Sequence, residues 1–187
     1  MKKLRLFGMF ALTFALVFGA ASCKQDAGPS GTPVKEVLEN GEDLSGTWKI
    51  TSASINTKAT ENGVEQSVET TDTAKAAKNF GLSSSEFTFT KAEAKKFFGD
   101  LAADVEEINN SAEYLKEMTA EYEGVSGVTV DADADFDARF VANGDNTKLT
   151  YWVSGYSKIS VKGTVMGQSI DSEMEQEGEI EVVFEKQ

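Results

Sequence analysis

Val128-Thr129-Val130-Asp131-Ala132-Asp133-Ala134-Asp135-Phe136-Asp137-Ala138-Arg139-Phe140-Val141-Ala142 alternates apolar and polar side chains along almost its whole length. Even positions hold only Val, Ala and Phe; odd ones hold Thr, four Asp and Arg before Val141 breaks the rule. A period of two sustained this far marks a strand with one face buried and one in water. Asn143-Gly144-Asp145-Asn146 then reads as a turn, and Leu149, Tyr151 and Val153 resume on one face with Trp152 opposed to them. The pattern predicts that Gly155 ends this strand and that Ile159 to Met166 forms another. Gly167-Gln168-Ser169 then turns the chain into a last strand, with Ile170, Met174, Ile180, Val182 and Phe184 on one face. Strands joined by such short turns pair antiparallel, because parallel pairing needs a long crossover. The C-terminal third is expected to be a four-strand meander, curved around an interior of alanines and phenylalanines.

Upstream, Leu44 to Ile50 reads as a first strand with Trp48 and Ile50 on its apolar face, and Asn62-Gly63 turns the chain into a second strand over Val64 to Thr70. Asp72 and Thr73 cap a short helix carrying Ala74, Ala77 and Phe80 and ending at Gly81. A short strand over Phe87 and Phe89 follows, and Thr90 with Glu93 has capping-box spacing. Phe97, Leu101, Val105 and Ile108 draw one apolar stripe along the next helix. Asn109-Asn110-Ser111 is expected to interrupt it, with Asn110 and Glu113 opening a second helix that carries Leu115, Met118 and Tyr122. The fold class expected is mainly antiparallel β, a barrel or half barrel with a helical insertion around 91–123. An α+β sheet with helices on one face is the alternative.

The N-terminus carries a different message. Lys2-Lys3-Leu4-Arg5 is basic, Leu6 to Phe18 is an apolar run too short to span a bilayer permanently, and Ala20-Ala21-Ser22 are small residues before Cys23. This arrangement resembles the signal of bacterial lipoproteins, with a relaxed lipobox ending at Cys23. The resemblance implies cleavage before Cys23, a diacylglycerol on its thiol, and a protein held to the cell envelope by its lipid, at the outer membrane or cell surface in preference to the cytoplasmic membrane. Several acyl chains hold a protein far more firmly than one, at ~0.8 kcal/mol per buried methylene. Residues 1–22 are then a signal peptide, 23–43 a lipidated N-terminus with a flexible linker around Pro29 and Pro33, and 44–187 a single acidic β-rich domain. Val34 to Leu38 is expected to form a helical turn within that linker. Ordinary secretion with a free Cys23 thiol is the alternative.

Gly46-Thr47-Trp48 resembles the Gly-x-Trp that opens the first strand of lipocalins, which implies a calycin-like barrel with the tryptophan closing its base. Under that reading a small apolar ligand sits among Trp48, Phe87, Phe89, Phe136, Phe140, Tyr151 and Phe184. Trp48 as an ordinary core residue at a strand start remains open beside it.

The inventory disfavours catalysis. The chain has no histidine, and its single cysteine is the one assigned to the lipid, so nucleophile–histidine systems and common zinc sites lack their residues. No cofactor is expected beyond the covalent lipid. Removing residues 1–22 takes away Lys2, Lys3 and Arg5 and no acid, which moves the net charge from -13 to -16. A surface of this sign repels nucleic acid and anionic headgroups and suits a basic partner. Asp131, Asp133, Asp135 and Asp137 begin like a calcium loop. However, Phe136 stands where the glycine turn belongs and Ala142 where the bidentate acid belongs, so a solvated strand face with a cross-strand lysine, Lys148 or Lys158, is the competing reading. Three functions stay open: an apolar-ligand module, an acidic interaction protein docking a basic macromolecule through Asp131 to Asp137 or Glu173 to Glu181, and a surface antigen without a ligand.

Overall fold

The computed structural model describes residues 28–122, 127–165 and 168–187. The expected signal peptide, Cys23, and the expected turn residue Gly167 lie outside the described residues. Antiparallel β structure dominates. β1 (Thr32–Pro33), β2 (Gly46–Glu61), β3 (Val64–Thr70), β4 (Glu86–Phe89), β5 (Val128–Ala142), β6 (Lys148–Val165) and β7 (Gln168–Lys186) form one sheet in the order β1-β5-β6-β7-β2-β3, with β4 beside the start of β2. Its path runs from β1 to β3 without closing, so the sheet is open, consistent with the expected half barrel and not with a closed one. Three helices accompany it: α1 (Val34–Glu39), α2 (Thr73–Asn79) and α3 (Lys91–Tyr122).

The expected alternation in β5 holds through Asp137, with half-buried even residues and exposed odd ones; Ala138, Phe140, Val141 and Ala142 are then buried, with Arg139 half-buried among them. The meander has three long strands, however, not four. β6 runs straight through Gly155, which pairs with Phe136 on one side and Gly178 on the other. A Cβ at Gly155 would stand 2.2 Å from the Asp135 carbonyl oxygen and 2.8 Å from the Phe136 Cα. The glycine therefore permits a close strand crossing and does not end the strand.

The expected break at Asn109-Asn110-Ser111 is also absent, because α3 is one helix of 32 residues. Ser111 donates its hydroxyl to the Ile108 carbonyl at 2.6 Å, and Asn109 reaches out to β5. Capping at the helix start follows the expected box: Glu93 accepts from the Thr90 backbone N–H at 2.8 Å. Asp72 caps α2 through the Ala74 and Lys75 amides. β3 spans Val64–Thr70 after a turn with positive φ at Asn62 and Gly63, as the Asn-Gly pair predicts.

The linker boundary needs correction. From residue 28 onward the N-terminal segment belongs to the folded body: Thr32 and Pro33 pair with Ala142 and Val141, and Val34 and Val37 of α1 are buried. Gly28 passes so close to Trp152 that a Cβ there would come within 2.7 Å of the indole, and its carbonyl accepts from Arg139 at 3.3 Å. Val34, Val37 and Leu38 share one side of a short helix, and that stripe docks where linker composition suggested free chain.

The core lies between helix α3 and the sheet face that carries the even residues of β5 and β7, the odd residues Leu149, Tyr151 and Val153 of β6, and Trp48, Ile50, Ala53 and Ile55 of β2. Phe98 of α3 is fully buried beside Trp48, Phe140 and Phe184, with Ala94, Leu101 and Ala102 along the same side. From the Gly155–Gly178–Thr57 row onward the interior mixes polar with apolar side chains, with Thr57, Ser157 and Gln176 buried alongside Val161 and Leu115.

Candidate functional site: an acidic sheet face

Register decides which side chains meet. Each aspartate of β5 lies across β6 from a glutamate of β7: Asp131–Ser160–Glu173, Asp133–Lys158–Glu175, Asp135–Tyr156–Glu177 and Asp137–Ser154–Glu179. Strands stand about 4.8 Å apart and same-face residues about 7 Å apart. The two acid ladders are therefore about 10 Å from one another, within a Debye length at physiological salt. Glu181 continues the β7 ladder, and Glu65 and Glu69 of β3 extend the same face beyond β2. The core face of the sheet is occupied by α3. Among the described residues, the acidic face is covered at its Trp152 end by the segment starting at Gly28.

Few cations answer these carboxylates. Lys158 lies cross-strand from Asp133, yet its ammonium pairs with Glu173 at 3.0 Å and with Glu175. These two carboxylates raise its pKa above the ordinary lysine range. Lys148, the other expected partner, pairs in register with Glu185 at the far end. Tyr156 donates its hydroxyl to Asp133, and that hydrogen bond raises the phenol's pKa. Arg139 grips Asp137 at 2.8 Å and lies over Trp152, whose indole N–H donates to Glu179 at 3.3 Å. Lys58 bridges Glu65 at 3.0 Å. Among the described residues, Asp131 and Asp135 have no cation within ion-pair distance. A cleft of about 270 Å³ opens over β6, β7 and β2, with Lys58, Tyr156, Lys158, Glu175 and Glu177 in its lining.

The calcium reading of Asp131, Asp133, Asp135 and Asp137 is corrected by this geometry. The four stand along a regular strand, and among the described residues no three acids converge on a point where a metal ion could sit.

The seven aromatics expected to line a ligand cavity are placed otherwise. Trp48, Phe140, Tyr151 and Phe184 are core residues, and Phe87 and Phe89 pack against them with Phe97 and Phe98 in edge-to-face or tilted contacts. Phe136 packs against the same core farther along β5, opposite Gly155. Burial holds the Tyr151 phenol well above its usual pKa, as befits a core side chain. Trp48 donates its indole N–H to the Leu44 carbonyl at 2.8 Å, and Lys186 sits over its ring at 5.8 Å. These rings fill space against one another. The cleft over β6 and β7, and a second of about 240 Å³ between α1 and α3, are both lined by other residues.

No known protein family, curated protein or solved structure matches this chain. Among the described residues, no helix is long and apolar enough to cross a membrane.

Proposed function

We propose that this chain is a lipid-anchored envelope protein that does no catalysis and presents an acidic sheet face to a basic macromolecule. The observation that carries the reading is the pairing of the two acid ladders across β6, which concentrates negative charge on the side of the sheet opposite α3. Such a field attracts cationic partners and repels phosphate-bearing ones. The aromatic set is used in the core, which leaves the apolar-ligand reading without its proposed lining. The charge pattern also favours this reading over an antigen with no ligand: like charges this close cost stability, and a partner offsets that cost.

Binding of a short lysine homopolymer tests the face. Affinity should fall roughly tenfold between 0.05 and 0.5 M salt. Neutralising Asp133, Asp135, Glu175 and Glu177 to their amides should weaken low-salt binding by a similar factor while leaving the circular dichroism spectrum unchanged. Association indifferent to both changes would refute the reading.

The anchor has its own test. In phase-separating detergent the full chain should partition with the detergent, and Cys23→Ser should move to the aqueous phase or persist as precursor. Detergent partitioning of Cys23→Ser protein whose signal peptide has been removed would show that Cys23 carries no lipid.

A further inference from the structure

The sheet has two edges, and they are treated differently. At β5, β1 pairs with Val141 and Ala142, and Asn109 of α3 takes up the backbone N–H and carbonyl of Ala138. At β3, residues Val64 to Glu69 are all exposed, and Val64 and Val68 are the most exposed large apolar side chains among the described residues, at 64% and 51%. β3 has no proline, lysine or bulge; of the devices that commonly blunt an edge it carries only charge, at Glu65 and Glu69, which a cationic strand would neutralise.

Ladder geometry fixes what this edge offers. The two-residue turn at Asn62-Gly63 makes Glu61 and Val64 a hydrogen-bonded pair, so Val64, Gln66, Val68 and Thr70 turn their backbone groups to β2. The N–H and carbonyl groups of Glu65, Ser67 and Glu69 face away from the sheet. Their side chains join the acidic face, and Val64 and Val68 lie on the opposite, helix-bearing side. A strand added here would set one row of its side chains beside Glu65 and Glu69 and the other beside the two valines.

We propose that the outer edge of β3 is a strand-addition site for an extended segment of a partner protein that alternates cationic and apolar residues. The sign of the partner rests on the reading in the preceding subsection; its seating through main-chain hydrogen bonds does not. A second copy of this chain is the weaker occupant, because two chains of the same strong negative charge repel one another.

The test uses the full chain in neutral detergent and three short peptides: alternating lysine and valine, the same peptide N-methylated at alternate residues, and a block peptide with all lysines preceding all valines. The alternating peptide should bind at least about tenfold more tightly than either control. It should also slow hydrogen exchange at the amides of Glu65, Ser67 and Glu69. Ser67→Pro removes an outward N–H that has no partner among the described residues and should cost the same factor, whereas Ser67→Ala should not. Equal binding of all three peptides with no new protection in β3 would overturn strand addition yet leave the acidic face standing. Binding that survives amide substitution of the four acids together with Glu65 and Glu69 but is lost in Ser67→Pro would sink the acidic face and keep the edge. A dimer abolished by Ser67→Pro would give the edge to a second copy and overturn the proposal, as would failure of the alternating peptide to bind.

Discussion

Replacing Phe98 with alanine should lower the unfolding free energy by about 3–5 kcal/mol, the range for truncating a fully buried phenylalanine. Phe98 has no exposed surface, and its ring centroid lies 5.2 Å from Trp48, 5.3 Å from Phe97, 5.9 Å from Phe89 and 6.1 Å from both Phe140 and Phe184. One side chain thus joins α3 to β2, β4, β5 and β7. The cavity left by alanine is walled by rings that already touch others, for example Phe87 on Phe184 at 6.3 Å, so collapse into the gap would break existing contacts. Phe98→Leu, which keeps more of the volume, should cost less than about 1.5 kcal/mol. Chemical denaturation followed by tryptophan fluorescence and far-ultraviolet circular dichroism should report both losses with coincident transitions. A loss under about 1 kcal/mol for Phe98→Ala would mean that α3 is held to the sheet by other residues.

Phe98 shows how far periodicity carries. The apolar positions of α3 were legible as a stripe, and Leu101 and Ile108 belong to the buried side in sequence and structure alike. Phe97 and Phe98 are adjacent on a helix with 100° between successive residues, so either can head that stripe. The sheet decides, and it seats Phe98 deeper and leaves Phe97 half-buried. The strands were more legible than the helices because an alternation of period two has only two phases. The same alternation identified the odd face of β5 as the solvated one. Partners across strands were not legible, since register depends on turn geometry and on the uninterrupted passage of β6 through Gly155. That Lys158 would serve the glutamates of β7 instead of the aspartates of β5 follows only from seeing β6 between them. The aromatic residues misled for a simpler reason: large rings at even positions look alike whether they line a cavity or fill one, and only their mutual distances tell the two apart.

Asn109→Ala should cost about 2–3 kcal/mol, a large effect for a polar residue on a helix. The side chain amide acts as one residue of a missing strand. Its Nδ2 donates to the Ala138 carbonyl at 2.9 Å, and its Oδ1 accepts from the Ala138 N–H at 2.8 Å. Each hydrogen bond contributes about 0.5–1.5 kcal/mol net, and truncation also strands two part-buried backbone groups that α3 keeps from water. Alanine's better helix propensity returns no more than about 0.7 kcal/mol. The neighbour is the control: Asn110→Ala changes the same residue type at a position that is likewise exposed, away from the Ala138 backbone that Asn109 holds, and should be neutral or slightly stabilising. Asn109→Asp separates the two bonds, because a carboxylate can accept from the Ala138 N–H but cannot donate to its carbonyl. Its protonated form can do both. The folded state then favours the protonated acid, so its folded pKa is raised and the lost stability should return as pH falls through that value. Hydrogen exchange at the Ala138 amide locates the effect. If that amide stays as protected in Asn109→Ala as in the parent, packing of α3 alone shields the edge, and the asparagine is not its clamp.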